Sequence, residues 1–387
     1  MRVRPTVLAL LATGLAAAVL PAQAAPATTP GLVRTYIVTT AGPASAVLPA
    51  VRALGGTVGF VYTSALNGFS VRLPSTARPL LAALPGVAAV EADGVVRASG
   101  TQTPTPSYGL DRIDQRALPL NSTFTSAANG AGVTAYVVDT GILLSHDDFG
   151  GRAVSGFDAV DGGSADDCNG HGTHVAGITG GTRFGVAKGV RLVAVRVLNC
   201  NGSGPTSGVI AGLDFVAADH GAGAPAVANL SLGGAASPAL DSAVQGVIDD
   251  GVSVTVAAGN NGGLVGELTG QADACASSPA RVPAALTVGA TDSGDAKASY
   301  SSRGACLDLF APGSSILSAW WTGPTATNTL SGTSMAAPHV AGAVALLLQT
   351  SPGARPAQIA QRLLTAATPA VVKNPGEGSP NRLLFVG

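Results

Sequence analysis

The sequence predicts an α/β fold: a mostly parallel central sheet with helices on both faces, preceded by a small α+β domain. Three observations carry this. Beyond residue 130, apolar runs of strand length recur: "VTAYVVD", "RLVAVRVL", "AVANLSL", "VSVTVAA" and "AALTVGA". They are nearly continuous in valine, alanine and leucine, as strands buried on both faces are. Helix-length stretches, "THVAGITGG", "SGVIAGLDFVAADHG" and "PALDSAVQGVIDDG", lie between many of them, and strand–helix alternation implies parallel pairing.

The elements follow in order. Arg2 and Arg4 precede a short apolar run, "VLALLATGLAAAVL", and "AQA" supplies the small residues of a cleavage site. A signal peptide over 1–24 is expected, and with it secretion to the extracellular space. The competing reading is a membrane anchor, but the run is short for a span and Pro21 ends it. No later stretch reads as transmembrane, so no membrane association is expected after signal removal. Within 25–100, "RTYIVTT" and "NGFSVRLP" alternate like strands, and "PASAVLPAVRALGG" and "TARPLLAALPGV" read as short helices. "ASGTQTPTPSYG" (98–109) reads as an exposed linker, the kind of segment that proteases cut. The α/β pattern occupies 101–387.

Only 11% of residues are charged, the formal net charge is −1 and no long basic run occurs, so no nucleic-acid partner is expected. A hydrophobic fraction of 46% can bury a sizeable core. Export makes disulfides plausible, and the four cysteines admit three pairings. None lies in a CxxC, so neither a zinc site nor a redox pair is expected.

Ligands of open parallel sheets bind beyond the carboxyl ends of the strands, and polar residues cluster there. Asp139 ends the run "YVVDTG" and Asn260 follows "VAAG"; each alone reads as a turn residue. His171, in "NGHGTHVAG", stands at a glycine-flanked helix start, and His174 lies one turn later. Ser334, in "GTSMAAPHVAG", opens an apolar helix and alone reads as a cap. Together they form a chemical set. A serine hydroxyl needs a base to become a nucleophile. His171 can take its proton, and Asp139 can hold the other ring N–H and stabilise the imidazolium. The Asn260 amide and the Ser334 backbone N–H can bind the resulting oxyanion.

In that order, "YVVDTG", "NGHGTHVAG", "NLSLGG", "VAAGN" and "GTSMAAPHVAG" resemble the motifs of the subtilisin-like serine proteases, nearest the proteinase K branch and its aqualysin-type enzymes. The resemblance covers 101–387, and "YGLDRIDQRALPL" is similar to the start of a mature aqualysin-type enzyme. It implies a subtilisin-like fold and a serine endopeptidase with Asp139, His171 and Ser334 as triad and Asn260 as oxyanion donor. Protein and peptide substrates would lie as an added strand along Gly202, Ser203 and Gly204 and along Ser231, Leu232 and Gly233. Ala258 and Gly259 would wall an open pocket with a broad, mainly apolar preference. The segment 25–100 resembles an inhibitor-type propeptide that assists folding, occupies the cleft and is cut off near 100–101. The cysteine pattern implies Cys168–Cys200 and Cys275–Cys306. Structural calcium is implied at the carbonyls of Pro283 and Ala285 with Asp308, and at a second site of Asp111, Asp114 and Gln115. With no appended domain after "RLLFVG", a monomer is expected.

Rival readings are weaker. "DTG" (139–141) and "DSG" (292–294) fit the signature of an aspartic protease dyad, but that architecture is all-β. His171 and His174 have the spacing of a metal pair without an obvious third ligand. His339 reads as structural and Met335 as packing. Ser334 is not in the GxSxG elbow of an esterase, and the intact catalytic set argues against a pure binding scaffold.

Overall fold

The computed structural model describes residues 32–64, 66–93 and 100–387. The expected signal peptide and the start of the expected linker lie outside the described residues. The chain divides into two compact units, Met1–Val96 and Arg97–Gly387.

The first unit is built from β1 (Val33–Thr40), α1 (Leu48–Ala53), β2 (Thr57–Tyr62), β3 (Gly68–Pro74), α2 (Arg78–Ala82) and β4 (Val87–Ala92). β1 buries Tyr36, Val38 and Thr40 on one side, the period of two expected of a one-sided sheet. The sheet is antiparallel in the order β2-β3-β1-β4, and α1 and α2 add Val51 and Leu81 to its core. β2 and β4 were not expected from the sequence. Both are edge strands, largely exposed, so little burial pattern marks them.

The second unit opens with β5 (Gly100–Gln102), α3 (Tyr108–Ile113) and β6 (Phe124–Ser126). Here the linker expectation is corrected. From Gly100 the chain is paired antiparallel with β6, and buried Ser107 caps α3 by accepting from the Gly109 N–H at 3.2 Å. Backbone pairing overrides the loop-like composition.

There follow β7 (Thr134–Asp139), β8 (Ala153–Asp158), α4 (His171–Gly180), β9 (Arg191–Arg196), α5 (Thr206–Asp219), β10 (Ala226–Leu230), β11 (Gly234–Ala235), α6 (Pro238–Asp249) and β12 (Ser253–Ala257). Then come α7 (Leu264–Thr269), β13 (Ser277–Ser278), β14 (Leu286–Thr291), β15 (Leu309–Pro312), β16 (Ile316–Ala319), β17 (Thr327–Leu330), α8 (Thr333–Thr350), α9 (Pro356–Ala366), β18 (Thr368–Pro369) and β19 (Arg382–Leu383). Among the described residues the central sheet runs β18-β19-β15-β14-β12-β10-β7-β9-β8, parallel throughout except for β18 against β19.

Successive residues of β7 face opposite sides. Ala135 and Val137 join a core with Val175 of α4, Val340 of α8 and Ile359 of α9. Tyr136 and Val138 join another with Leu213 of α5 and Val244 of α6. Helices thus cover both faces, as the unbroken apolar runs require. The carboxyl ends of β7, β10 and β12 lead directly into Asp139, Ser231 and the 258–260 turn.

Candidate active site

Asp167, four residues before His171, sets the start of α4. Its buried carboxylate accepts from the backbone N–H of Asn169, Gly170 and Thr173 and from the hydroxyls of Thr140 and Thr173. This satisfies first-turn donors that a helix leaves open. Thr140 Oγ1 accepts in turn from the Gly172 N–H at 2.9 Å, tying the end of β7 to the helix. Gly170 has φ +110°, and a Cβ there would strike the indoles of Trp320 and Trp321. Glycine is therefore required one residue before the histidine.

This framework brings His171 Nδ1–H to Asp139 Oδ1 at 2.7 Å, and the Thr140 N–H donates to the same oxygen at 2.7 Å. The Asp139 side chain is fully buried, whereas that of His171 is 27% exposed. Burial alone would lower the His171 pKa. The Asp139 carboxylate, through charge and hydrogen bond, and Asp167 outweigh it, and the net displacement is upward.

Ser334 is the second residue of α8, so its backbone N–H lies in the first turn, without an intrahelical acceptor. Its hydroxyl donates to the Ser231 carbonyl at 3.1 Å. Asn260 is oriented by Thr333, whose N–H and hydroxyl both donate to Asn260 Oδ1, at 2.9 and 3.0 Å. A backbone N–H can only donate, so the oxygen faces Thr333 and the amide nitrogen is left for the cleft. Thr333 Oγ1 also accepts from the Gly259 N–H at 3.2 Å.

One cleft of about 560 Å³ is lined by His171, Ser334 and Asn260, by Gly202, Ser203 and Gly204, and by Ser231, Leu232, Gly233 and Gly259. Asp139 lies beneath it. Ala258 is a correction: its side chain turns into an apolar cluster with Ala280 and Phe310, and Ala257 takes the place on the cleft wall. Sequence reasoning passed over Asp167, Thr140 and Thr333. The first has the residue type of a helix cap, and the other two directly adjoin Asp139 and Ser334 in sequence.

His174 and His339 are structural. His174 Nε2 bonds the carbonyls of Ile316 and Asn328, and His339 Nδ1 bonds that of Met335. Burial pushes each ring down to about 4, so both are neutral. Asp292 spends its carboxylate on the N–H groups of Gly294 and Ala296, a turn rather than half of a dyad.

Cys168 is bonded to Cys200 and Cys275 to Cys306. The first bridge joins the residue after Asp167 to the edge of the 201–204 segment, and Asn169 Nδ2 donates to the Cys200 carbonyl beside it at 3.0 Å.

Two groups of oxygens stand apart from the cleft. Pro283, Ala285 and Asp308 line a common hollow with Arg382. Burial pushes Asp308 up to about 6, against the Thr287 N–H and Arg382, which act the other way. Asp111 accepts from the N–H groups of Asn121 and Ser122. Nearby, Asp114 Oδ1 and Gln115 Oε1 are buried with no hydrogen-bond partner among the described residues. Burial raises the Asp114 pKa, and the charge of Asp111 raises it further.

Residues 130–384 match the Subtilase family, peptidase S8. A protein of a Thermus species named extracellular serine proteinase is 60% identical over 326 residues, or 84% of this chain and 77% of that protein. Alkaline serine exoprotease A of Vibrio alginolyticus is 50% identical over 332 residues, or 84% of this chain and 59% of that protein, less than two thirds of its length. A crystal structure of a cold adapted subtilisin-like serine proteinase is 52% identical with a TM-score of 0.69, covering 74% of this chain and 99% of that one.

Proposed function

The chain belongs to the subtilase family and is a serine endopeptidase, and from that premise we propose that it is a secreted, self-processing enzyme with Asp139, His171 and Ser334 as its triad. The observation that carries this reading is the 2.7 Å contact of His171 with buried Asp139, on a cleft shared with Ser334 and Asn260.

The Ser334 hydroxyl turns from the Ser231 carbonyl to His171 Nε2, which removes its proton as Oγ attacks the scissile carbonyl. Asp139 holds the opposite ring nitrogen protonated, so Nε2 is the basic one. The carbonyl π electrons pass to oxygen, and the oxyanion is met by the Asn260 amide and the Ser334 N–H. His171 then protonates the leaving amine as the C–N bond breaks. Water repeats the sequence on the acyl-enzyme and releases the acid.

Extended peptide lies as a strand along 201–204 and 231–234, and the small residues beside Gly259 favour broad, mainly apolar residues before the scissile bond. The segment 25–100 serves as intramolecular inhibitor and folding aid until it is cut near 100–101. The leader segment and the name of the Thermus relative, an extracellular serine proteinase, support secretion. The mature enzyme acts as a monomer.

Both oxygen groups fit calcium, a hard cation that takes carboxylates and carbonyls. Asp308 with the carbonyls of Pro283 and Ala285 would hold one ion, and Asp114 and Gln115 beside Asp111 a second. When bound, calcium neutralises these buried acids and braces the loops that carry them.

The test compares wild type with Ser334→Ala on an apolar peptide, with the propeptide supplied in trans so that folding is not confounded. Loss of both turnover and precursor processing in the mutant is expected. Equal turnover in a folded mutant would overturn the triad.

A further inference from the structure

We propose that Ser231, Asn229 and Thr255 are positioning residues that seat the nucleophile by replacing a hydrogen bond that its own helix lacks. This rests on Ser334 being the nucleophile. In an α-helix the carbonyl of residue i accepts from the N–H of residue i+4. For Ser334 that residue is Pro338, inside α8, which has no N–H to give. The Ser334 carbonyl is therefore orphaned where the catalytic residue must be held most firmly.

A buried side-chain relay fills the gap. Ser231 Oγ–H donates to the Ser334 carbonyl at 2.8 Å. The direction of that bond is not free. A hydroxyl has one proton, so Ser231 Oγ must accept from Asn229 Nδ2, at 2.8 Å. The amide oxygen of Asn229 then faces Thr255, whose hydroxyl donates to it at 2.9 Å. Asn229 on β10 and Thr255 on β12 stand directly opposite in the parallel register. All three side chains are buried, with Thr255 at 0%, Asn229 at 1% and Ser231 at 3% exposure, so water does not compete. The relay thus transmits the rigidity of two central strands to the first turn of α8. It also leaves the Ser231 carbonyl as the resting acceptor of the Ser334 hydroxyl.

Asn229 has no contact with the reacting atoms, so its effect must act through Ser334. Removing one buried hydrogen bond of this kind predicts a loss in kcat of about 5- to 10-fold with KM nearly constant.

The experiment measures kcat and KM on an apolar peptide, per active site titrated, for wild type, S231A, S231A/P338A, T255V and N229D, with S334A, normalised to folded protein, as control. S231A is expected to lose kcat rather than KM. Adding P338A returns a backbone N–H to the helix and should recover part of that loss. T255V, nearly isosteric, should show a smaller loss in kcat and guards against poor folding of the Asn229 variant. In N229D a protonated carboxyl can donate to Ser231 as the amide does, whereas an ionised one only accepts and draws the Ser231 proton away. The N229D to wild-type kcat ratio should therefore fall as pH rises over the range in which the introduced carboxyl ionises. An unchanged kcat in both S231A and T255V, or an N229D kcat that holds at the wild-type level while the introduced carboxyl ionises, would overturn the relay. Activity surviving in S334A would instead overturn the assignment of the nucleophile on which the relay rests.

Discussion

Ser231 and Ser334 are bonded to each other twice: each hydroxyl donates to the other's carbonyl, at 2.8 and 3.1 Å. One bond holds the backbone of Ser334. The other engages its hydroxyl at the Ser231 carbonyl. The end of β10 and the start of α8 are thereby fastened to each other. The predictions below concern the groups around that junction.

Replacing Asp139 by Asn removes the charge and the acceptor that fix the His171 tautomer. Turnover should fall about 10⁴-fold, the loss known for this exchange in another serine protease triad. The sign of the pH effect follows from the shift. His171 lies above its ordinary value because Asp139 and Asp167 outweigh burial, and activity needs the neutral ring. Without Asp139, burial dominates and the acid limb of kcat/KM should move to lower pH. A pH–rate profile of D139N with an unmoved or raised limb would contradict this.

Asn260→Ala should cost about 10²- to 10³-fold in kcat with little change in KM, the range known for loss of such an amide in a subtilisin. Thr333→Val removes one of the two donors on Asn260 Oδ1 and leaves the other. A smaller loss of about 10-fold is expected. Steady-state kinetics of the two single variants and the double variant checks this, since loss through one shared amide must be less than additive.

Asp308 provides a pH test of calcium. Its folded pKa is raised from 3.8 to about 6, so without metal the stability it contributes is complete below pH 3.8 and is lost as pH rises to 6. Calcium binds the ionised form and should offset that loss. EDTA should therefore lower Tm more at pH 7 than at pH 5, and Asp308→Asn should shrink the difference. At calcium 100 times its Kd the stabilisation would be about 2.7 kcal/mol. Melting curves at both pH values, with and without chelator, give the answer.

The Cys168–Cys200 bridge closes a separation of 32 residues between the capping acid of α4 and the 201–204 segment. Replacing both cysteines by serine should destabilise by about 3–4 kcal/mol, a fall in Tm of about 10 °C. KM should rise as well, because one wall of the cleft is released from the other. Calorimetry and peptide kinetics on the same sample separate the two effects.

The parallel sheet, its two-sided burial and the four chemical residues at its carboxyl rim were legible in the chain. Nearly unbroken apolar runs of strand length, alternating with helix-length stretches, fit strands covered on both faces, and the ordered motifs carry residue types that one reaction can use together. The two edge strands of the first unit were not legible, because an exposed edge is defined by its neighbour rather than by its own pattern. Nor was the strand at Gly100–Gln102, where pairing with Phe124–Ser126 overrode a composition of threonine and proline. Ala258 was misplaced because the direction of one side chain at the end of β12 depends on which core it meets. Asp167, Thr333 and the Asn229–Thr255 pair acquire their roles only when distant segments converge. A hydrogen bond between residues 26 or 73 positions apart leaves no trace in local sequence. Chemistry is local to the side chain and can be read from residue type, whereas orientation belongs to the contacts that folding assembles.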